Sequence, residues 1–343
     1  MAIINITNNG TKWRVFEKEK LQKYFGEVID INIGDLQKTK EVTGFIEDLY
    51  VFWRPNSDEM SSGEYNKMLE QRELLKNIKM NNDPINYLKT HCKEEAFEVW
   101  KKENIKIPDF EVINENETFI DSFSLNFPFL ARVNNEVTGR ASYLVNNKEE
   151  LRKSLNNLDV HKHNSRHKNS FTKKIAVEFI DARKENDKYN LSYRIIVAGD
   201  KVIAGYARLS EARDWVAITG KFKYEMGSLF LKYQERCNKM VEKNHDKIVK
   251  AVSCLGLNLQ GVDIIENKQG EIFFLECQPG FSTGYHDWPK PFYNPYYPEL
   301  VRFIQENEEE FKTRCPMYYN SWLNKERLFD KIFKNLKESL GRK

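Results

Sequence analysis

The sequence has little of what secreted, membrane-spanning or zinc-binding proteins depend on. Its five cysteines are odd in number, lie far apart and form no Cys-x-x-Cys pair, which argues against a disulfide framework and against a zinc site. No run approaches the roughly 20 apolar residues of a membrane span. The residues after Met1 lack the basic segment and the long apolar core of a signal peptide. We therefore expect a cytoplasmic protein with no membrane partner.

An excess of charge of one sign is also missing. The 343 residues include 54 Lys and Arg and 51 Asp and Glu, for a net charge of +3. Because nucleic-acid binding usually needs a clear basic excess, we expect no nucleic-acid partner. Hydrophobic residues make up 40% of the chain and charged residues 31%, which is the composition of a folded globular protein. The length allows about two or three packed subdomains.

The chemistry of the chain is concentrated in a predicted β-hairpin over residues 261–278. Two apolar runs flank the turn residues 267–270, as in a hairpin. Side chains alternate along a strand, so Glu276 and Gln278 share one face, and strand pairing brings Asp263 alongside them. Two carboxylates and an amide oxygen suit Mg²⁺. The alternative is that the two acids are ordinary charges on a solvated face; their position within strongly apolar strands favours a site.

This hairpin resembles a known family. Gly-Val-Asp, a turn, and then Leu-Glu-x-Gln-x-Pro-Gly is similar to the metal-binding end of the ATP-grasp superfamily, nearest to the branch of glutathione synthetase and the ribosomal-protein glutamate ligases. In that family an Asp, a Glu and an Asn hold Mg²⁺ on the phosphates of ATP. The resemblance implies that Asp263, Glu276 and Gln278 hold Mg²⁺ here, with Gln in place of the usual Asn.

Earlier segments resemble the same family in the same order. Its members have a Lys that opens a helix and reaches the nucleotide phosphates, and Lys93 has the spacing from Pro108 that the glutamate ligases show. A buried strand of the family ends in Lys, and a small Gly-rich loop then covers the β- and γ-phosphates through backbone N–H groups. Arg132 replaces that Lys, and Thr138 and Gly139 lie in the loop.

The resemblance also implies an adenine site and a pair of arginines. The strand that ends near Glu178 matches the family's hinge, so the backbone of Phe179 and Ile180 is expected to pair with the adenine edge, with Glu178 near the amino or ribose hydroxyl groups. Arg194 and Arg208 bound the next predicted hairpin with the spacing of the glutamate ligases. We interpret both as catalytic, and Arg208 as the group that stabilises a developing acyl phosphate.

The N-terminal part has a different pattern of predicted strands and helices. Alternating strands and helices over residues 1 to about 85 predict a small open α/β domain of parallel strands. In such a domain ligands bind at the carboxyl ends of the strands. Arg54 follows the third predicted strand, so it either touches a substrate or caps the sheet edge.

Three other segments allow two interpretations each. The His-rich residues 161–170 form either a metal site or a mobile surface loop, and the absence of a fourth ligand favours the loop. His286 and Asp287, in the aromatic and Pro-rich run 285–298, either serve the acceptor or belong to a packed loop. Apolar residues at helical spacing from 318 to 340 predict a helix that docks on its own domain or on a second copy, which would make a homodimer.

Together these features predict an α/β (α+β) protein with the ATP-grasp fold, in which an N-terminal open α/β domain precedes two α+β subdomains that grip ATP. The expected segments are the N-terminal domain (1–88), a lid subdomain (89–182), a subdomain with the metal site (183–312) and a helical extension (313–343). The expected cofactors are ATP and Mg²⁺.

The implied function is ATP-dependent ligation of a carboxylate to an amine through an acyl phosphate. The expected partners are a small-molecule or peptide carboxylate and an amine acceptor. Three alternatives stay open: a kinase of the same architecture, a nucleotide-binding module without turnover, and a peptide-modifying ligase. The last rests on residues 51–55, Val-Phe-Trp-Arg-Pro, which faintly resemble the Trp-Tyr-Arg-Arg-Pro stretch of ATP-grasp enzymes that cross-link ribosomal peptides.

Overall fold

A computed structural model of the protein describes residues 2–7, 14–46, 48–53, 61–113, 124–136, 141–164, 171–211, 223–278, 298–322 and 325–340. Within these ranges the strands form three β-sheets. None of the helices in the described part of the chain is long and apolar enough to cross a membrane.

The first sheet is the parallel α/β unit that the N-terminal pattern predicted. Its strands are β1 (Ala2–Thr7), β2 (Val28–Asn32), β3 (Leu49–Trp53) and β4 (Lys79–Asn81), and its helices are α1 (Arg14–Phe25), α2 (Leu36–Phe45), α3 (Ser62–Leu75) and α4 (Pro84–His91). The strand order is β2-β1-β3-β4, and every neighbouring pair is parallel. Ile3, Ile4 and Ile6 are all buried because a central parallel strand is covered on both faces.

Side-chain caps determine where three of these helices begin. Asp35 accepts a hydrogen bond from the first turn of α2. Ser61 and Glu64 form a reciprocal capping box at the start of α3. Asp83 caps α4, and Pro84 occupies its first turn, where its missing N–H leaves no intrahelical bond unmade. Each cap satisfies backbone N–H groups that have no partner within the helix.

The second sheet is antiparallel. Its strands are β5 (Phe110–Val112), β6 (Phe129–Val133), β7 (Ser142–Val145) and β8 (Lys174–Glu178), in the order β5-β8-β6-β7. Helix α5 (Lys93–Lys102) precedes this sheet, and helix α6 (Lys148–Asn164) packs on β6 and β7. Leu151 and Leu158 of α6 share a buried core with Phe129, Ala131 and Val133 of β6. Because Phe129, Ala131 and Val133 are every second residue of β6, their side chains project from one face of the strand, and this face packs on α6.

The third sheet contains the predicted hairpin. Its strands are β9 (Arg183–Lys184), β10 (Tyr189–Ala198), β11 (Lys201–Glu211), β12 (Leu259–Glu266) and β13 (Ile272–Gln278). The main path runs β11-β10-β12-β13, with every pair antiparallel, and β9 pairs with β10. Helix α7 (Gly227–Ser253) packs on β10, β11 and β12. The sequence before the hairpin predicts a helix from Lys247 to Leu257, whereas α7 begins twenty residues earlier, at Gly227.

One buried side chain joins the first sheet to the third. Asn82, which follows β4, donates to the carbonyl oxygen of Leu259 at 2.7 Å. Its own oxygen accepts from the backbone N–H groups of Asn258 at 3.0 Å and Leu259 at 3.2 Å. The nitrogen and the oxygen of the amide thereby both bond to backbone groups at the start of β12. The strand that carries Asp263 is thus fixed to the edge of the N-terminal sheet.

The C-terminal segment is helical throughout its described part. The helices are α8 (Pro298–Glu306), α9 (Glu308–Arg314), α10 (Pro316–Trp322) and α11 (Lys325–Leu340). The stripe predicted from 318 to 340 is thus divided between α10 and α11. Helix α11 packs on α1 and on strands β10 and β11. Asp330 of α11 accepts hydrogen bonds from Lys20, Lys23 and Tyr24 of α1, each at 3.0 Å. Of the two predicted docking modes, the structure has the one on its own chain.

We expect Phe333→Ala to lower the free energy of unfolding by about 3–5 kcal/mol. Phe333 of α11 is fully buried. Its ring centroid lies 5.8 Å from that of Phe329, and it meets the ring of Phe52 of β3 edge-on with a centroid distance of 5.8 Å. Removal of its ring opens a cavity between the C-terminal helix and the first sheet. Denaturant unfolding of the variant measures the loss.

Glu338→Ala on the same helix is the control. Glu338 lies 3.2 Å from Lys201 in a solvent-exposed ion pair, so its loss changes stability by less than about 1 kcal/mol. Equal effects of the two substitutions would contradict the packing of α11 described here.

Candidate active site

Three charged side chains of the third sheet form a row across its strands. Arg194 on β10 is directly opposite Asp263 on β12, and Asp263 is directly opposite Glu276 on β13. Directly opposite residues of antiparallel strands project from the same face. Gln278 lies two residues beyond Glu276 and shares that face. The structure therefore brings the three predicted metal ligands together, beside one of the predicted arginines.

Asp263 is held by both predicted arginines. Its side chain is nearly inaccessible, at 3% exposure for the residue. Arg194 binds it through a fork, with Nε 2.7 Å from Oδ1 and Nη2 2.8 Å from Oδ2. Arg208 places Nη2 2.7 Å from Oδ2, and its Nε donates to Ser192 Oγ at 3.1 Å. Burial acts to lower the pKa of Arg194, but the Asp263 carboxylate outweighs burial and raises it.

Glu276 is held by a lysine from another part of the chain. Lys93 Nζ lies 2.7 Å from Glu276 Oε2, and Gln278 donates through Nε2 to Glu276 Oε1 at 2.7 Å. Burial acts to raise the pKa of Glu276, but the charges of Lys93 and Arg132 overcome burial and hold it well below its usual range. Glu276 is therefore a carboxylate at neutral pH, and it faces two cations.

Lys93 and Arg132 are enclosed by the turn that follows β6. Lys93 is the first residue of α5 and is 4% exposed. Its ammonium donates to the carbonyl oxygens of Asn134 at 3.3 Å and Glu136 at 3.4 Å. Arg132 donates to the same Glu136 oxygen at 3.2 Å. Burial, aided by the charge of Arg132, lowers the pKa of Lys93. Both cations were predicted only from their positions relative to the family's motifs, and the structure places them side by side.

The predicted adenine-site residues lie at the end of β8. Glu178 closes this strand, and its Oε2 accepts a hydrogen bond from the backbone N–H of Asp109 at 3.1 Å. The half-buried Phe179 and Ile180 follow directly. Several predictions fall outside the described residues: Thr138, Gly139, Arg54, His286 and Asp287.

Asn134 was not predicted from the sequence. This residue is fully buried, as is Asn135, and the next residue, Glu136, is 5% exposed. Three consecutive buried polar residues are unusual, because such groups normally remain in water. An Asn-Asn pair after an apolar strand has the composition of an ordinary surface turn. Burial was the missing signal, and it depends on α5 and β8 covering the turn.

The donor set fits Mg²⁺ only together with an anion. Each carboxylate oxygen of Asp263 and Glu276 accepts from a basic group or an amide. Within the described ranges, no group of three or more His, Cys, Asp or Glu side chains is placed to hold a metal. Mg²⁺ commonly takes one or two carboxylates and completes its shell with water and substrate phosphates. The basic side chains outnumber the acids, so the site also attracts an anion.

Comparison with known proteins agrees with this geometry. The family of RimK-like ATP-grasp domains matches residues 90–283, whereas no curated protein matches the chain. The L-amino acid ligase from Bacillus licheniformis has a similar structure, with a TM-score of 0.56 and 12% identity over 89% of this chain and 75% of that one.

Two further solved structures are similar. N5-carboxyaminoimidazole synthetase from Staphylococcus aureus, complexed with ADP, has a TM-score of 0.53 and 12% identity, covering 83% of this chain and 72% of that one. The ATP-grasp ligase PsnB, complexed with a minimal precursor, has a TM-score of 0.52 and 12% identity, covering 82% of this chain and 92% of that one. At such identities the likeness establishes the fold. Because the family match spans more than half of the chain, the predicted superfamily and fold are confirmed, and the protein belongs to the RimK-like ATP-grasp family.

Proposed function

We propose that the protein is an ATP-dependent ligase that joins a carboxylate to an amine and converts ATP to ADP and phosphate. The observation that carries the proposal is the set of basic side chains around two carboxylates of the third sheet, those of Asp263 and Glu276. A polyphosphate and a divalent cation together satisfy this set, because the phosphates take the basic groups and the cation takes the acids. Membership of the RimK-like ATP-grasp family supports the same class of enzyme.

The basic groups form the proposed phosphate site. Lys93 and Arg132 come from α5 and β6, and Arg208 comes from β11. Phosphate oxygens compete with the carboxylates for these cations, and the arginine fork suits them well. Thr138 and Gly139 remain the proposed phosphate loop, and Glu178, Phe179 and Ile180 remain the proposed adenine contacts. Competition by phosphate for these cations releases the carboxylate oxygens that they bind.

The released oxygens of Asp263 and Glu276, with the amide oxygen of Gln278, would hold Mg²⁺. When bound, Mg²⁺ neutralises phosphate charge that would otherwise repel an attacking carboxylate. Arg194 keeps its fork on Asp263 and so positions that ligand from the neighbouring strand. Asp263 and Lys93 are buried and Glu276 is half-buried beside them, which limits the access of water to the reacting groups and protects a hydrolysable intermediate.

The proposed reaction has two steps. A carboxylate oxygen of the substrate attacks the γ-phosphorus of ATP in line, and the bond from that phosphorus to the ADP oxygen breaks. The amine nitrogen then attacks the acyl carbon, loses a proton and expels phosphate, so that an amide forms. Arg208 stabilises the charge that develops on the transferred group. The proposed acid and amine belong to small molecules or peptides. The L-amino acid ligase and PsnB, which was solved with a minimal precursor, have a similar fold.

We expect the protein to release phosphate from ATP only when a carboxylate and an amine are both present. The test is incubation with ATP, Mg²⁺ and pooled amino acids or short peptides, followed by mass spectrometry for ADP and a condensation product. Phosphate transfer to an alcohol without an amine would instead identify a kinase. Nucleotide binding without turnover under every condition would identify a non-catalytic module.

A further inference from the structure

Asn134, which directly follows β6, binds both the start of α5 and the segment before β8. Its amide nitrogen donates to Glu94 Oε1 at 2.7 Å, to Glu94 Oε2 at 2.8 Å and to the carbonyl oxygen of Phe171 at 2.7 Å. Its amide oxygen accepts from the backbone N–H of Lys173 at 3.0 Å. A fully buried amide with all of these partners allows a single orientation of the turn.

The same residue contacts Lys93 directly. The carbonyl oxygen of Asn134 accepts from the Lys93 ammonium at 3.3 Å and faces the Lys93 backbone N–H at 3.4 Å. The side chain of Asn134 holds Glu94, the next residue along α5. Backbone and side chain of one residue therefore fix the position of the helix start and the direction of its lysine.

The side chain of Asn134 bonds to a buried acid, Glu94, which a purely structural contact does not need. Glu94 is 2% exposed, and burial raises the pKa of its carboxyl group although the hydrogen bonds from Asn134 act to lower it. An apolar contact would join α5 to the turn without this desolvation. Asn135, equally buried, donates to Thr172 Oγ1 at 2.9 Å and ties the turn to the segment before β8. Asn134 differs from Asn135 in its additional hydrogen bonds to Glu94 and Lys93.

We propose that Asn134 is a positioning residue for nucleotide binding, which acts by holding Lys93 where its ammonium meets both Glu276 and the incoming phosphates. This role rests on the proposed function. Precise placement matters, since a misplaced charged group loses much of its interaction with a phosphate.

The test compares the same substitution at two neighbouring positions. Asn134→Asp retains the size of the side chain, removes its N–H donors and sets a second carboxylate against Glu94. Asn135→Asp is the matched control in the same turn. The affinity of each purified variant for a non-hydrolysable ATP analogue with Mg²⁺ is measured by calorimetry, the melting temperature is measured alongside, and KM for ATP and kcat are determined separately.

We expect Asn134→Asp to weaken nucleotide affinity on the order of 10- to 100-fold, with the effect mainly in KM for ATP. Asn135→Asp should lower the melting temperature with little change in nucleotide affinity. If Asn134→Asp fails to fold, the double variant with Glu94→Gln carries the test. In that variant an amide at 94 donates to a carboxylate at 134, so folding and nucleotide affinity should recover together.

Two results would overturn the role of Asn134 alone. One is equal nucleotide affinity in the two single variants, and the other is a stable double variant that still fails to bind nucleotide. A lack of nucleotide binding by the unchanged protein would be a different result, because it would remove the proposed function itself.

Discussion

Glu276→Gln is expected to reduce ATP turnover on the order of 10³-fold while the protein stays folded. The substitution keeps the shape of the side chain and removes the charge that is proposed to hold Mg²⁺. Lys93 retains the carbonyl oxygens of Asn134 and Glu136 as partners, so its ammonium is not left without an acceptor. The loss should therefore appear in kcat measured by ADP release, with an unchanged circular dichroism spectrum.

The matched control for this experiment is Glu266→Gln. Glu266 lies on the same hairpin, is 3% exposed and is bound by Arg236, with Nε 2.8 Å from Oε2. It belongs to the turn end of the hairpin, away from Asp263. The control should lower stability and spare turnover. Wild-type turnover in Glu276→Gln would remove the metal site from the proposed function.

Arg208→Met is expected to lower kcat on the order of 10²- to 10³-fold. Arg208 is the basic group proposed to stabilise the charge on the transferred phosphoryl group. Asp263 keeps the two-bond fork of Arg194 after the substitution, so no buried carboxylate loses all its partners and the fold should persist. Single-turnover measurement of acyl phosphate or ADP formation separates this chemical step from nucleotide binding.

The control for Arg208→Met is Arg236→Met. It also removes an arginine from a buried carboxylate of β12, in this case Glu266. Both substitutions therefore disturb an ion pair of the same kind on the same strand. A loss of kcat in Arg208→Met that is no greater than in Arg236→Met would show that the effect arises from stability, and it would contradict a catalytic role for Arg208.

Local pattern was enough to locate the hairpin and to place Glu276 and Gln278 on one face, because alternation along a strand has a period of two. The pairing nearest the turn sets Ile264 opposite Phe274 and would continue with Asp263 opposite Leu275. An irregularity between Asp263 and Ile264 places Asp263 opposite Glu276 instead, and only the structure shows it. The parallel N-terminal sheet was predicted for a similar reason, since strands that alternate with helices favour parallel pairing. The resemblance to the family predicted four more site residues that local pattern could not distinguish from surface charges: Lys93, Arg132, Arg194 and Arg208.

Local sequence pattern does not predict structure that depends on which elements cover a segment. Helix α7 begins at Gly227, but only its last part was predicted. Its buried residues Phe230, Cys237 and Val241 show a pattern once the face against the third sheet is known. The turn after β6 is a sharper case, because Asn134 and Asn135 are polar in sequence and fully buried in the fold.

The charged side chains of the candidate site were predicted from the sequence, whereas the contacts between them depend on the tertiary structure. Lys93 lies on a helix that is far along the chain from Glu276, yet the two form an ion pair at 2.7 Å. Asp263 is shared by Arg194 and Arg208 from two other strands. Strand and helix periodicities are local, whereas these contacts depend on how separate sheets pack. Only packing buries the charges, and burial makes their pairing strong enough to position them.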